Sequence, residues 1–200
     1  MKIKVSFFGI LMIISLIFTR SYLSIAALLA AFTHEMGHLL MASLCDVKIK
    51  ELRLDIFGAA LTPDHAFCSY KKEIAVAAGG PLVNLIFAFF ILAFGGGRGA
   101  FLELFMMASF FLGALNLLPI RDFDGGRILH CLISCVFCVR AADIFCAVTS
   151  FVILLVLWLL SVYMMLQFGA SLSLFVFSFA LLCKIFLLNK SQDYGRITKN

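Results

Sequence analysis

The 200-residue chain is 64% hydrophobic, carries 23 phenylalanines and has a mean hydropathy of +1.11, whereas a soluble domain holds roughly 45–50% apolar residues. A soluble fold is excluded, and an all-α polytopic membrane protein is expected. The net charge of +5 is too small and scattered for nucleic-acid binding, so its use lies in where Lys and Arg fall relative to the spans.

Met1–Lys4 is basic and leads into an apolar run, Val5–Phe18. No small-residue cleavage site follows, and Arg20 opens directly onto more apolar sequence, so this run is read as a retained first span rather than a signal peptide. The second span, Tyr22–Leu44, is interrupted by His34, Glu35 and His38. On a helix the two histidines lie one turn apart on one face, able to reach a single zinc, with Glu35 beside them to act on a water. Imidazoles and a carboxylate inside a bilayer span are costly unless paired or metal-bound, so they are functional candidates by default.

From Cys45 to Lys72 the pattern alternates, with Val47, Ile49, Leu52, Leu54 and Ile56 set against Lys48, Lys50, Arg53 and Asp55. Period two argues for a small β-hairpin or sheet at the membrane face, punctuated by Gly58 and Thr62-Pro63-Asp64, with a solvated loop as the alternative. His65 is read as a surface histidine. The third span, about Glu73–Phe94, contains Gly79-Gly80-Pro81 and Asn84. Glycine and proline are tolerated in membrane helices where another element packs closely, which sets this end against the HExxH helix. For Asn84 the sequence leaves two roles open, an interhelical hydrogen bond or a place near the metal.

Ala100–Val139 is too long for one crossing, since about forty helical residues reach roughly 60 Å against a hydrocarbon core of ~30 Å. It must break at Asn116–Arg127, where Pro119, Gly125 and Gly126 unwind it and Arg121, Asp122, Asp124 and Arg127 concentrate charge. Irregular charged backbone at membrane depth is allowed only inside protein or beside a cavity, so this break is expected to form the second half of the site. The glycine pair is expected to give the backbone after Asp124 conformations closed to other residues. Two further spans, Ala142–Leu166 and Ala170–Leu188, precede a short polar tail. The seven cysteines lie mostly in apolar runs and are read as buried thiols.

Counted as six spans with the amino terminus inside, the chain places Lys2, Lys4, Lys48, Lys50, Arg53, Lys71, Lys72, Arg140, Lys190, Arg196 and Lys199 in the cytoplasm and only Arg20 and Arg98 outside. The positive-inside rule therefore predicts cytoplasmic termini and a site towards the cytoplasmic side.

Three motifs in order, His34–His38 as HExxH, Gly80-Pro81-Leu82-Val83-Asn84, and Asn116 through Pro119 to Asp124-Gly125, resemble those of the site-2 protease family of intramembrane zinc metalloproteases, and among them its sporulation type. The resemblance implies that Asp124 joins His34 and His38 as a ligand of one Zn2+, that Glu35 activates the water, and that Asn116, with Asn84, helps hold substrate. It implies a membrane-tethered protein substrate, such as a pro-sigma or anti-sigma factor, and a membrane regulatory or inhibitory protein as a further partner. Sporulation-type relatives commonly carry a CBS domain; here a single membrane-embedded protease domain is expected over 1–200, its catalytic core at about 22–139, without a soluble accessory domain. Asp122 departs from the family pattern and is read as pairing with Arg121 or Arg127, or as an alternative ligand. The rival reading is a non-proteolytic zinc-binding protein or metal transporter, to which a carboxylate following the first histidine would bring little.

Overall fold

A computed structural model describes residues 2–5, 21–47, 49–55, 58–63, 69–94, 99–168 and 179–180. Three strands and five helices are assigned among them: β1 (Lys2–Val5), α1 (Tyr22–Leu44), β2 (Ile49–Asp55), β3 (Gly58–Pro63), α2 (Tyr70–Phe94), α3 (Ala100–Asn116), α4 (Asp124–Val136) and α5 (Val139–Phe168). The expected first span, beyond Val5, and the last, Ala170–Leu188 apart from residues 179–180, lie outside the described residues, as does His65.

Three of these helices, α1, α2 and α5, are long and apolar enough to cross a membrane, and α3 is a shorter apolar helix. The expected break in Ala100–Val139 is present: α3 ends at Asn116, α4 begins at Asp124, and residues 117–123 form the irregular connection. Between α1 and α2 the backbone forms an antiparallel hairpin of β2 and β3, with Leu52 opposite Leu61 and Arg53 opposite Ala60. The chain start adds a third strand. β1 pairs in parallel with β2, Lys2 opposite Glu51 and Val5 opposite Leu54, so Val5 belongs to a sheet rather than to the start of a span.

Local chemistry sets the helix limits. Ser21 caps α1 by accepting from the Ser24 N–H at 3.1 Å. The other end closes as a Schellman turn: Asp46 takes a left-handed φ of 53°, its N–H donates to Ser43 O, and the Val47 N–H donates to Ala42 O. Val47, like Leu39, packs on Ala42 and Val76, and Lys72 Nζ donates to the Cys45 carbonyl at 2.7 Å. A charged side chain from α2 thus seals the end of α1.

Packing is inverted relative to a soluble protein. Phe32, Leu40, Phe89, Phe90 and Leu92 face outward, while Ala26, Ala30, Ala42, Ala77 and Ala88 are buried between helices. Lipid tails are as apolar as leucine, so helices associate through close packing of small residues and interhelical hydrogen bonds. The tightest approach joins α1 to α2, where a Cβ on Gly37 would stand 2.9 Å from Gly80 Cα and closer still to the Gly79 carbonyl oxygen. Gly37→Ala is accordingly expected to force the two backbones apart at a cost of about 1–3 kcal/mol. Thermal unfolding in detergent measures it, and a midpoint equal to that of the wild type would contradict the close approach.

Candidate metal centre

Two helices deliver the polar groups. The one-turn spacing of His34 and His38 sends both imidazoles from α1 towards α2 and α4, and Asp124 enters from the first position of α4. His34 Nε2 and His38 Nε2 lie 3.1 and 3.2 Å from Asp124 Oδ2 and 3.2 Å from each other. All three residues are buried, with exposures of 5%, 4% and 8%.

His38 Nδ1 donates to the Val76 carbonyl at 2.7 Å, so in the neutral ring Nε2 carries a lone pair and no proton. That lone pair faces the second imidazole and a carboxylate oxygen, and one shared proton cannot satisfy three such contacts. A cation between them can. Ligand atoms held ~2.0–2.1 Å from a tetrahedral zinc stand about 3.3–3.4 Å apart, within a few tenths of an ångström of the observed separations. The surrounding backbone keeps this space open, since a Cβ on Gly80 would reach His34 Cε1 at 2.9 Å and collide with His38 Nε2. Two imidazoles and one carboxylate are a zinc donor set, with a fourth position left for chemistry. His34, His38 and Asp124 are the described residues whose ligand atoms converge in this way.

Asp124 depends on the 117–123 connection and on α5. Ile120 is fully buried and packs with Phe123 and Leu154, while the Arg121 N–H donates to Ser150 Oγ at 2.8 Å and Ser150 donates to Cys146 O. Arg121 and His130 both reach Asp143, at 3.9 and 3.3 Å, and Arg127 reaches Glu73 at 3.8 Å. These pairs join the connection and α4 to α5 and α2.

The glycine pair acts otherwise than expected. Gly125 and Gly126 are helical, with no left-handed φ. Their lack of a Cβ lets the carbonyls of Leu117 and Ile120 close onto the start of α4, and this close fold-back presents Asp124 to α1.

The other expected site residues are distributed differently. Glu35 follows His34 on α1 and is half-buried. Asn84 is fully buried in α2, with its amide engaged by Thr33 and Ala30 of α1 in an interhelical hydrogen bond. Asn116 ends α3, its Nδ2 donating to Leu112 O at 3.0 Å. Neither amide belongs to the ligand cluster, nor does Asp122. Sequence reasoning did not single out Val76, whose part is played by a backbone carbonyl and leaves no side-chain signal, or Ser150, one hydroxyl among several in an apolar helix.

Residues 22–99 and 96–160 match Peptidase family M50. The chain belongs to that family. It is 35% identical over 111 residues to stage IV sporulation protein FB of Bacillus subtilis (strain 168), covering 54% of this chain and 38% of that protein. It is 30% identical over 107 residues to zinc metalloprotease MJ0392 of Methanocaldococcus jannaschii, covering 50% and 31%. The chain thus matches less than two-fifths of the length of these relatives. The site-2 protease from Methanocaldococcus jannaschii has the same fold, with a TM-score of 0.68 over 92% of this chain and 89% of that one at 23% identity. An M50 chain of this architecture is a multi-pass membrane protein.

For this M50 chain the two neighbouring carboxylates have different prospects. Asp124→Asn is expected to lose tightly bound zinc, while Asp122→Asn keeps it at close to one ion per chain. Metal content of the purified variants decides, and the reverse pattern would move the third ligand to Asp122.

Proposed function

We propose that this chain is a zinc metalloendopeptidase that hydrolyses a peptide bond in or beside a transmembrane segment of a membrane-tethered protein. The observation that carries this reading is the buried convergence of His34, His38 and Asp124, with Glu35 adjacent to the first histidine. His34, His38 and Asp124 would hold a zinc ion, which would supply Lewis acidity towards a water and a carbonyl. Glu35 accepts the proton of the attacking water and returns it to the leaving amine. Val76 holds the His38 ring by its Nδ1–H, so that Nε2 keeps its lone pair towards the site. Asn116, at the mouth of the irregular connection, positions the substrate backbone. A transporter would need the ligands but has no use for a proton acceptor beside them, which favours hydrolysis.

The likeness to stage IV sporulation protein FB, with the motif resemblance, supports a membrane-tethered protein substrate, either a pro-sigma or an anti-sigma factor. A membrane regulatory protein is the further partner. The lysine and arginine distribution supports cytoplasmic termini and a site towards the cytoplasmic face.

Glu35→Gln preserves shape but cannot accept the proton, so peptide cleavage should fall by at least about a hundredfold while zinc content stays at the wild-type level. Cleavage at the wild-type rate would remove Glu35 from the mechanism. Topology reporters joined after Leu44 and after Asn189 should report cytoplasm, and one at Gly97 the outside. An external signal after Leu44 would reverse the orientation and the side of the site.

A further inference from the structure

The metal ligands on α1 can work only if that helix is held at one rotation. A turn of about 10° would carry an atom ~5–6 Å from the helix axis by about 1 Å, against metal–ligand bonds of ~2 Å. The outward face of α1, with Leu23, Ile25, Phe32 and Leu40 exposed, does not select that angle, because lipid receives any of these side chains equally well. Specific polar ties must select it. One is already described, the bond from His38 Nδ1 to the Val76 carbonyl.

A second tie lies two turns farther along α2. Asn84 Nδ2 donates to the Ala30 carbonyl at 3.2 Å, and Thr33 Oγ1 donates to Asn84 Oδ1 at 2.9 Å while lying 3.0 Å from the same Ala30 carbonyl. A carbonyl can only accept, so the NH2 of Asn84 must face Ala30, and its oxygen is left to receive the hydroxyl. Ala30 stands one helical turn before His34, where its carbonyl is also the intrahelical acceptor for the His34 N–H. Thr33 is bonded to His34 through the chain. Asn84 therefore grips α1 through the residues that fix the His34 backbone, as Val76 grips His38 at its ring.

We infer that Thr33 and Asn84 form a positioning clamp which, with the Val76 carbonyl, sets the rotation of α1 and so the geometry of both histidine ligands. Val76 and Asn84 are eight residues apart on α2, ~12 Å along its axis, and Gly79 and Gly80 lie between them where the backbones touch. Helix α2 thus acts as a rail that holds the ligand pair at both ends. Neither Thr33 nor Asn84 enters the ligand cluster; they act through His34. This inference rests on the zinc-site reading and adds what keeps the site in register.

The test uses the full chain in detergent, with Thr33→Val, Asn84→Leu, the double variant and Thr33→Ser. Zinc affinity is measured by chelator competition, the ligand field by the visible spectrum of the cobalt-substituted protein, and folding by thermal unfolding of the metal-free form. Thr33→Val should weaken zinc about tenfold, at the low end of the effect of outer partners on metal sites, and alter the cobalt spectrum. Thr33→Ser should restore both. The double variant should bind zinc no more weakly than Asn84→Leu alone, because the two residues act as one unit. Wild-type zinc affinity and an unchanged cobalt spectrum in Thr33→Val would overturn the clamp, and that variant decides alone if Asn84→Leu does not fold. A variant that loses thermal stability but keeps the wild-type cobalt spectrum would overturn it as well. A wild-type chain unable to bind one zinc would instead overturn the protease reading itself.

Discussion

Two imidazole nitrogens and a carboxylate oxygen meet within 3.2 Å in a buried, membrane-embedded place, and much of the surrounding structure answers to that meeting. Lone pairs directed at one another without water repel, and burying them is expensive unless a cation or protons intervene. The convergence therefore needs a cation or protons between the atoms, and a rigid surround. A surface site could adjust by side-chain rotation, whereas here the supporting groups are backbone and short side chains with little freedom.

Helix α2 supplies most of that rigidity. It contributes no ligand of its own, yet it carries the Val76 carbonyl, the Gly80 gap beneath the imidazoles, and the Asn84 amide. Pro81 lies inside the same helix and is buried. Proline there removes one intrahelical hydrogen bond, a cost tolerated within membrane helices when neighbouring elements pack against the site. The absence of side chains at Gly79 and Gly80 lets α1 approach so closely that carbonyls and imidazoles share one layer.

Asp124 has a different kind of support. Asp124 begins a helix immediately after an irregular connection, which would wander in lipid if it were not bound on several sides. Ile120 and Leu154 anchor it by burial, Ser150 by a hydrogen bond to its backbone, and Asp143 by pairing with Arg121. Helix α5 is therefore part of the metal centre although it offers no donor to it. This division of labour, with the converging side chains on α1 and α4 and support on α2 and α5, is built on a fold shared with a solved site-2 protease at 23% identity.

Much of this was legible in the chain before folding. Polar residues in an apolar run, the one-turn spacing of His34 and His38, and the glycine- and proline-marked break before Asp124 are local signals, so the HExxH helix and the interruption of Ala100–Val139 followed from sequence alone. Relations between distant segments were not legible. The parallel pairing of Lys2–Val5 with β2 joins residues separated by the whole of α1, and period-two patterning in one segment says nothing about which other segment will lie beside it. Helicity of the Gly125-Gly126 pair was hidden for a related reason. Glycine signals either unusual backbone angles or close approach, and only the carbonyls of Leu117 and Ile120 lying against it tell which. That Asn84 bonds to Thr33 and Ala30 of α1 was likewise not written in its own segment. Residue types and spacing determined which chemistry this chain can perform; the tertiary structure decided which atoms hold that chemistry in place, because a backbone carbonyl or a missing Cβ acquires a role only from what packs against it.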